Sequence, residues 1–359
     1  MITELINFFS LFPPFLKMRR LYFMHKGFNE PMWGGGIFKQ NIKEAFAKFL
    51  SSEELSSEQY KEKLIKDIVN CYLLYGSTPD EYFLFDMLHS DMKKRSSYVT
   101  DMDKDKTAIR VTGIDLFKRD LCNKFNFYCK TADFFKRKAI LVENVEDRKR
   151  FVQMTLECKK VFAKLLEGSY GANAIMFEIN SEADALEAFD KLLRTESKWI
   201  VEECIIQAKC MAQWNSSSVN TVRIPSFLCG GKSNILGPFF RTGRKGCIID
   251  NAGGGGIFAV LNPDTGVVET DGMNELGKYY VNHPDSGLQY RGFQIPEWDN
   301  LLDITRKIHL TMPFHRYIAF DFAYTDQGWV LIEGNWGQLI SQYNNKIGLK
   351  KKFHQYMGC

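Results

Sequence analysis

The feature that most restricts the fold of this chain is a pair of acids set into apolar, strand-like sequence near the C-terminus, IAFDFAYTDQGWVLIEGNWGQ (318–338). Side chains alternate faces along a strand, so Phe320, Phe322 and Tyr324 share one face and Ala319, Asp321 and Ala323 the other. On the return segment Leu331, Glu333 and Asn335 oppose Val330, Ile332 and Gly334. Thr325-Asp326-Gln327-Gly328 is short enough to join Tyr317–Tyr324 to Trp329–Glu333 as neighbouring strands. An acid inside such a strand is costly to bury unless it is paired or bound to a cation. Asp321 and Glu333 are therefore expected as cross-strand neighbours, with Asn335 on the face of Glu333. Two carboxylates and an amide oxygen converging make a hard-oxygen site suited to Mg²⁺. The competing reading is a set of exposed polar residues on an edge hairpin.

The chain has 359 residues, enough for two or three packed subdomains. Its apolar fraction of 45% and charged fraction of 25% are those of a globular protein, which excludes disordered and fibrous classes. A formal charge of +4 is small for this length; it does not point to nucleic acid and leaves room for a local basic site. Nine cysteines are scattered singly with no CxxC pair, against a zinc site or disulfide framework and for a reducing, cytoplasmic setting. The histidines lack metal-ligand spacing, and no GxSxG or Walker lysine motif is present. Leu5–Leu16 is apolar but too short to span a bilayer, so no transmembrane segment is expected. With Lys17, Arg19 and Arg20 behind it, this run reads either as an arm packed on the body or as a weak peripheral contact with anionic lipid.

Helical spacing runs from Asn41 to Leu74, broken at Ser51–Glu58, and Thr78-Pro79-Asp80-Glu81 opens a further helix with a hydroxyl cap and an early proline. Residues 91–110 are highly charged and read as a solvated connection. Beyond residue 111 strand-like segments appear at Val161–Lys164 and Ala174–Ile179, followed by an amphipathic helix at Ala183–Leu193 and a strand at Trp199–Glu203. Further strands are expected at Thr221–Leu228, Ile235–Arg241, Gly256–Leu261 and Gly266–Glu269, then a helix at Trp298–Leu310. This pattern is α+β and divides into an N-terminal helical region (1–110), a first lobe (111–207) and a C-terminal lobe (208–359).

Several basic residues sit where they would meet anions. Lys164 ends a strand and faces the turn containing Gly168 and Gly171, an arrangement suited to phosphate oxygens or equally to a plain hairpin. Arg223 lies inside the apolar strand TVRIPSF, and Arg241 and Arg244 flank Gly243. Guanidinium groups grip carboxylates and phosphates through two parallel hydrogen bonds, while a mobile loop with surface arginines is the alternative. His283, in HPDSG, is a candidate substrate contact or base, though a lone histidine is more often structural.

The ordered blocks YGSTPDEY, SVNTVRI, FRTGRKGCIIDNAGGGGI, HPDSG, RGFQIPEW and FDFAYTDQGWVLIEGN, over about residues 70–345, resemble the sugar-transfer-associated family of ATP-grasp enzymes. Asp321, Glu333 and Asn335 match the metal-binding motif of that superfamily. The resemblance implies an ATP-grasp fold, two α+β lobes clasping ATP, preceded here by the helical region. It assigns Lys164, and with it Lys124, to the nucleotide phosphates, and places the WIVEE segment at the adenine and ribose, with Glu202 and Glu203 both open for that contact. The glycine turn is poorer in glycine than is usual in ATP-grasp proteins. It further implies ATP and Mg²⁺ as cofactors and small-molecule carboxylate and amine substrates. The expected activity is a carboxylate–amine ligase acting through an acyl phosphate, on a sugar acid or sugar-linked carboxylate in surface polysaccharide assembly. A phosphotransferase on the same scaffold and a non-catalytic nucleotide-binding module are the alternatives.

Overall fold

The computed structural model of the chain describes residues 13–26, 38–167, 174–247, 250 and 255–358. Most of the apolar run 5–16, together with Gly168, Gly171 and Asn251–Gly254, lies outside them. The chain divides into two compact units, one formed by the residues up to Thr107 with Gln338–Gln355 and the other by Ala108–Gly337 with the extreme C-terminus.

The first unit is helical, and local sequence sets its helix ends. Ser51 and Glu54 form a reciprocal capping box ahead of helix Ser52–Ser56, and Ser57 caps helix Glu58–Tyr75. That helix stops at Gly76, whose φ of 73° is left-handed and suits glycine. Thr78 then caps helix Pro79–Leu84, with the Glu81 carboxylate accepting in return from the Thr78 amide at 2.8 Å. Glu81 is buried and also accepts from the Asp101 amide at 2.7 Å, so the GSTPDE stretch has a structural use. Burial, then the nearby Asp101, raises the Glu81 carboxyl to about 8. Residues 91–110 depart from the expected solvated connection, because they include helices Met92–Arg95 and Asp101–Thr112. Lys104 is buried there against Asp101 at 3.4 Å and Asp105 at 3.0 Å, so this lysine is neutralised internally rather than by water.

The second unit holds two antiparallel sheets. In the smaller, β1 (Ala139–Val142), β2 (Lys160–Leu165), β3 (Ile175–Glu178) and β4 (Trp199–Glu203) lie in the order β1-β4-β2-β3. Val161, Ala163, Trp199 and Val201 join the core with Phe151 and Met154 of helix Arg148–Cys158 and Ala185, Ala188 and Phe189 of helix Glu182–Leu193. Alternation therefore places Lys164 and Glu202 on the opposite face of this sheet.

The larger sheet contains β5 (Thr221–Cys229), β6 (Lys232–Ile235), β7 (Phe239–Thr242), β8 (Ile257–Val260), β9 (Gly272–Met273), β10 (Tyr279–Tyr280), β11 (Tyr317–Thr325) and β12 (Gly328–Asn335). Its order is β10-β9-β8-β7-β5-β11-β12, with β6 also paired to β5. The single strand expected over Ile235–Arg241 is split between β6 and β7, because Gly237, at φ 65°, and Pro238 interrupt the ladder. The Gly266–Glu269 segment forms only isolated bridges, Leu261 with Val268 and Val267 with Gln294. Helix Lys124–Phe135 lies against β12: a Cβ at Gly334 would come within 2.7 Å of Phe127, so the strand needs glycine there. Cys71, Cys122, Cys129, Cys158, Cys204 and Cys210 are free thiols, and Cys229 is disulfide-bonded.

Candidate active site

Strand register builds the site. Asp321 of β11 pairs with Glu333 of β12 on one side and with Arg223 of β5 on the other, so acid, acid and guanidinium form one row across three strands. The register shifts between Asp321 and Phe322, a β-bulge beside the acid pair. Asp321 is fully buried, and burial alone would raise its carboxyl. Arg223 reverses that with a two-pronged contact, Nε to Oδ1 at 2.5 Å and Nη2 to Oδ2 at 2.6 Å, and Arg241 Nη2 adds a bond to Oδ2 at 2.8 Å. These cations hold Asp321 down at about 2.

Glu333 behaves oppositely. Desolvation, then the Asp321 charge, raises its carboxyl above the usual value, and Arg223 Nη2 stays 4.0 Å away. Asn335 Nδ2 donates to Glu333 Oε1 at 3.3 Å, while Asn335 Oδ1 is buried without a hydrogen-bond partner. Gly337 opens the space before that oxygen, since a Cβ there would stand 2.7 Å from Asn335 Oδ1 and 3.2 Å from Arg223 Nη1.

The donor set fits Mg²⁺. A carboxylate has about four lone-pair positions. Asp321 accepts once on Oδ1 and twice on Oδ2 from the two arginines, and its register partner Glu333 and the partnerless Asn335 oxygen add further oxygen donors. Among the described residues no group of three or more His, Cys, Asp or Glu side chains converges to hold a metal, so a metal here would need the Asn335 amide oxygen as its third donor.

The smaller sheet contributes a second polar cluster. Lys164 Nζ meets Glu202 Oε1 at 3.2 Å and Oε2 at 3.3 Å, and Arg137 grips Oε2 from Nε at 3.1 Å and Nη2 at 2.5 Å. Glu202 is buried, yet its carboxyl is lowered: desolvation is outweighed by Lys164 and Arg137. Glu203 points elsewhere and accepts from the Lys138 amide at 3.3 Å, so of the two acids Glu202 shares the lysine's face. Lys124 belongs to the same neighbourhood. Desolvation lowers its ammonium, Glu333 and Glu202 oppose that, and Lys164 adds to it.

Two residues anticipated at this centre are engaged elsewhere. Arg244 forks onto Asp285, at 2.7 Å and 3.0 Å. His283 is buried, with Nε2 2.9 Å from the Gly243 carbonyl oxygen and Nδ1 accepting from the amides of Asp285 and Ser286 at 3.3 Å and 3.2 Å. Both ring nitrogens are thus used by backbone, which leaves neither for a base and gives His283 the role of tying a turn. The glycine turn beyond Lys164 falls outside the described residues.

The sequence reading missed three participants. Arg137 also donates to the Leu331 carbonyl at 2.5 Å, joining Glu202 to the strand that carries Glu333. Asp250 receives the Thr221 hydroxyl and lies 3.5 Å from Arg241, whose Nε donates to Thr221 Oγ1 at 2.8 Å. Burial raises the Asp250 carboxyl, opposed by Arg241. Gly337 is the third. Only Gly337 carried a local signal, as a glycine two residues after the candidate ligand Asn335.

The sequence model of the sugar-transfer associated ATP-grasp family matches residues 160–357, more than half of the chain. No curated protein sequence matches. Among solved structures the fold is similar to a D-alanyl-alanine synthetase A from Vibrio cholerae (11% identity, TM-score 0.41), covering 66% of this chain and 64% of that one. A D-alanine–D-alanine ligase from Bacillus anthracis is 10% identical with a TM-score of 0.38, covering 67% and 64%. The D-cycloserine synthetase DcsG is 11% identical with a TM-score of 0.42, covering 78% and 82%. This chain therefore spans less than two thirds of the length of the first two. By the match over residues 160–357, the chain belongs to the sugar-transfer associated ATP-grasp family.

Proposed function

We propose that this chain is an ATP-dependent carboxylate–amine ligase acting on a sugar acid or a sugar-linked carboxylate, in the assembly of a surface polysaccharide. The observation that carries the reading is the in-register Asp321–Glu333 pair with the partnerless Asn335 oxygen beside it. ATP-grasp enzymes use ATP, and here Asp321, Glu333 and Asn335 would hold Mg²⁺, which supplies charge neutralisation across the phosphates.

The remaining work falls to the chain's own groups. Arg223 and Arg241 fix the Asp321 carboxylate in its ionised form and aim it. Lys164, oriented by Glu202, and Lys124 direct positive charge at the nucleotide phosphates. A substrate carboxylate oxygen attacks the γ-phosphorus; the bond to the β,γ-bridging oxygen breaks, giving an acyl phosphate and ADP. An amine then attacks the acyl carbon, expels inorganic phosphate, loses a proton and leaves an amide. Positioning and preorganised charge supply most of the acceleration in such transfers. The sugar-linked acceptor is supported by the family's association with sugar transfer.

Sugar acids and amines are to be screened for ADP release, with mass analysis of the products. Release that requires both substrates, with an amide product, bears the ligase out. A stable phosphorylated product formed without amine makes the chain a phosphotransferase instead. Nucleotide binding without turnover makes it a binding module.

A further inference from the structure

Arg223 and Arg241 both bond Asp321, but they are held differently. Arg223 closes a two-pronged fork on the carboxylate, which fixes the plane of its guanidinium. Arg241 reaches Asp321 through Nη2 alone, at 2.8 Å, and one hydrogen bond does not fix that plane. Its second attachment is Thr221, its register partner on β5, whose Oγ1 accepts from Arg241 Nε at 2.8 Å. A threonine hydroxyl has one hydrogen to give and rotates to suit its neighbours. Asp250 removes that freedom. Its Oδ2 takes the Thr221 hydrogen, which leaves the hydroxyl lone pairs for Arg241. The same oxygen lies 3.5 Å from Nε as a nearby countercharge. Thr221 and Asp250 are both buried, so little water competes for these bonds.

We propose that Thr221 and Asp250 are positioning residues that aim Arg241 at the phosphoryl group in transit, a role that rests on the ATP-dependent transfer proposed above. A guanidinium has five N–H donors. On Arg241 one goes from Nε to Thr221 and one from Nη2 to Asp321, while Nη1 makes no hydrogen bond with the described residues. The side chain keeps 10% of its surface open, so Nη1 is not sealed by protein. With Nε and Nη2 both held, the plane is set and Nη1 has one direction. Nη1 and Nη2 share a carbon, so the uncommitted donor stands next to Asp321, a proposed Mg²⁺ donor. A donor fixed in advance toward charge that grows during transfer lowers the barrier more than it tightens nucleotide binding. Thr221 and Asp250 touch neither nucleotide nor substrate in this scheme; they act through Arg241.

No knowledge of the acceptor is needed to test this. Full-length parent and variants are titrated by calorimetry with ADP and Mg²⁺, then with ADP, Mg²⁺ and aluminium fluoride, which together mimic a phosphoryl group in transit. The parent is expected to bind the fluoride complex about a hundredfold or more tighter than ADP. Thr221→Val removes the hydroxyl at nearly constant shape, and Asp250→Ala removes the carboxylate. Each should lose about tenfold or more of that gain while its affinity for ADP stays that of the parent. Thr221→Ser keeps the hydroxyl and should recover most of the gain. If Asp250→Ala does not fold, judged by its melting temperature, the Thr221 pair decides. A parent that gains nothing from aluminium fluoride removes the phosphoryl-transfer reading and this role with it. A parent that gains, beside a Thr221→Val variant that gains equally, leaves that reading standing and overturns the positioning role alone. Equal losses of ADP and fluoride-complex affinity in the variants overturn it too, since a merely structural contact would give that result.

Discussion

Arg223 holds Asp321 through two parallel hydrogen bonds, at 2.5 Å and 2.6 Å, and the two residues are register partners on adjacent strands although 98 positions separate them. Asp321 stays ionised at any physiological pH. Replacing it leaves two buried guanidinium groups without their shared partner. Asp321→Asn should therefore cost about 3–5 kcal/mol of stability, read as a lower denaturant midpoint, and abolish ADP release. A variant as stable as the parent would mean that the pairing is dispensable to the fold.

Glu333 should respond in the opposite sense. Its carboxyl is raised in the folded state, so the ionised form is disfavoured by folding. Stability from this residue is greatest below the unfolded carboxylate value, near 4.5, and declines as pH rises through the folded value. Glu333→Gln removes that decline: the variant should match the parent at low pH and exceed it at neutral pH, while losing ADP release. Melting temperatures across pH 4–8 check this, and a variant less stable than the parent at neutral pH would refute it.

Away from the acids, His309 gives an acid-sensitive element. It is buried, Nδ1 sits 2.7 Å from Ser226 Oγ and Nε2 2.8 Å from the His315 carbonyl oxygen. Desolvation lowers the imidazole to about 4, so the unfolded chain binds the proton more readily. Its contribution is complete above about 6.5 and is lost as pH falls toward 4, up to about 3 kcal/mol. Denaturant midpoints between pH 7 and 4 should show this slope in the parent, and a shallower one in His309→Gln.

Arg137 connects the two clusters, since it neutralises Glu202 and also bonds the Leu331 carbonyl. Without it Lys164 alone would balance a buried acid and would have less charge to offer phosphate. Arg137→Met should raise the KM for ATP about tenfold with little change in kcat, and Arg137→Lys should recover only part, because the fork is lost. Equal falls in kcat and kcat/KM would point to a different role.

The acid pair was legible because strand periodicity fixes faces, and a short turn fixes which residues meet. The bulge at Asp321 was not, since one residue of slip leaves no trace in an alternating pattern. Arg223 stood out as a charge in an apolar strand, but its partner depended on β5 pairing with β11, a contact between distant segments. Arg244 and His283 follow β7 or lie in a later turn, where side-chain direction has no periodic rule. Arg137, inside FKRK, looked like any solvated cation until the fold placed Glu202 against it.

Gly337 offers the sharpest separation of site from scaffold. An added Cβ would sit 2.7 Å from Asn335 Oδ1, 3.1 Å from the Ala319 methyl and 3.2 Å from Arg223 Nη1. The Ala319 methyl is fixed by its strand and Arg223 by its fork on Asp321, so the carboxamide is the group free to yield, and its oxygen is the one without a protein partner. Gly337→Ala should cost only about 1–3 kcal/mol of stability, as overpacking does, because no charge is orphaned and no ladder bond is broken. ATP binding in Mg²⁺ should weaken far more than ATP binding in EDTA, since the displaced atom is the one proposed to hold the ion. Calorimetric titrations of parent and variant under both conditions decide it: equal losses with and without Mg²⁺ would remove Asn335 from the metal set.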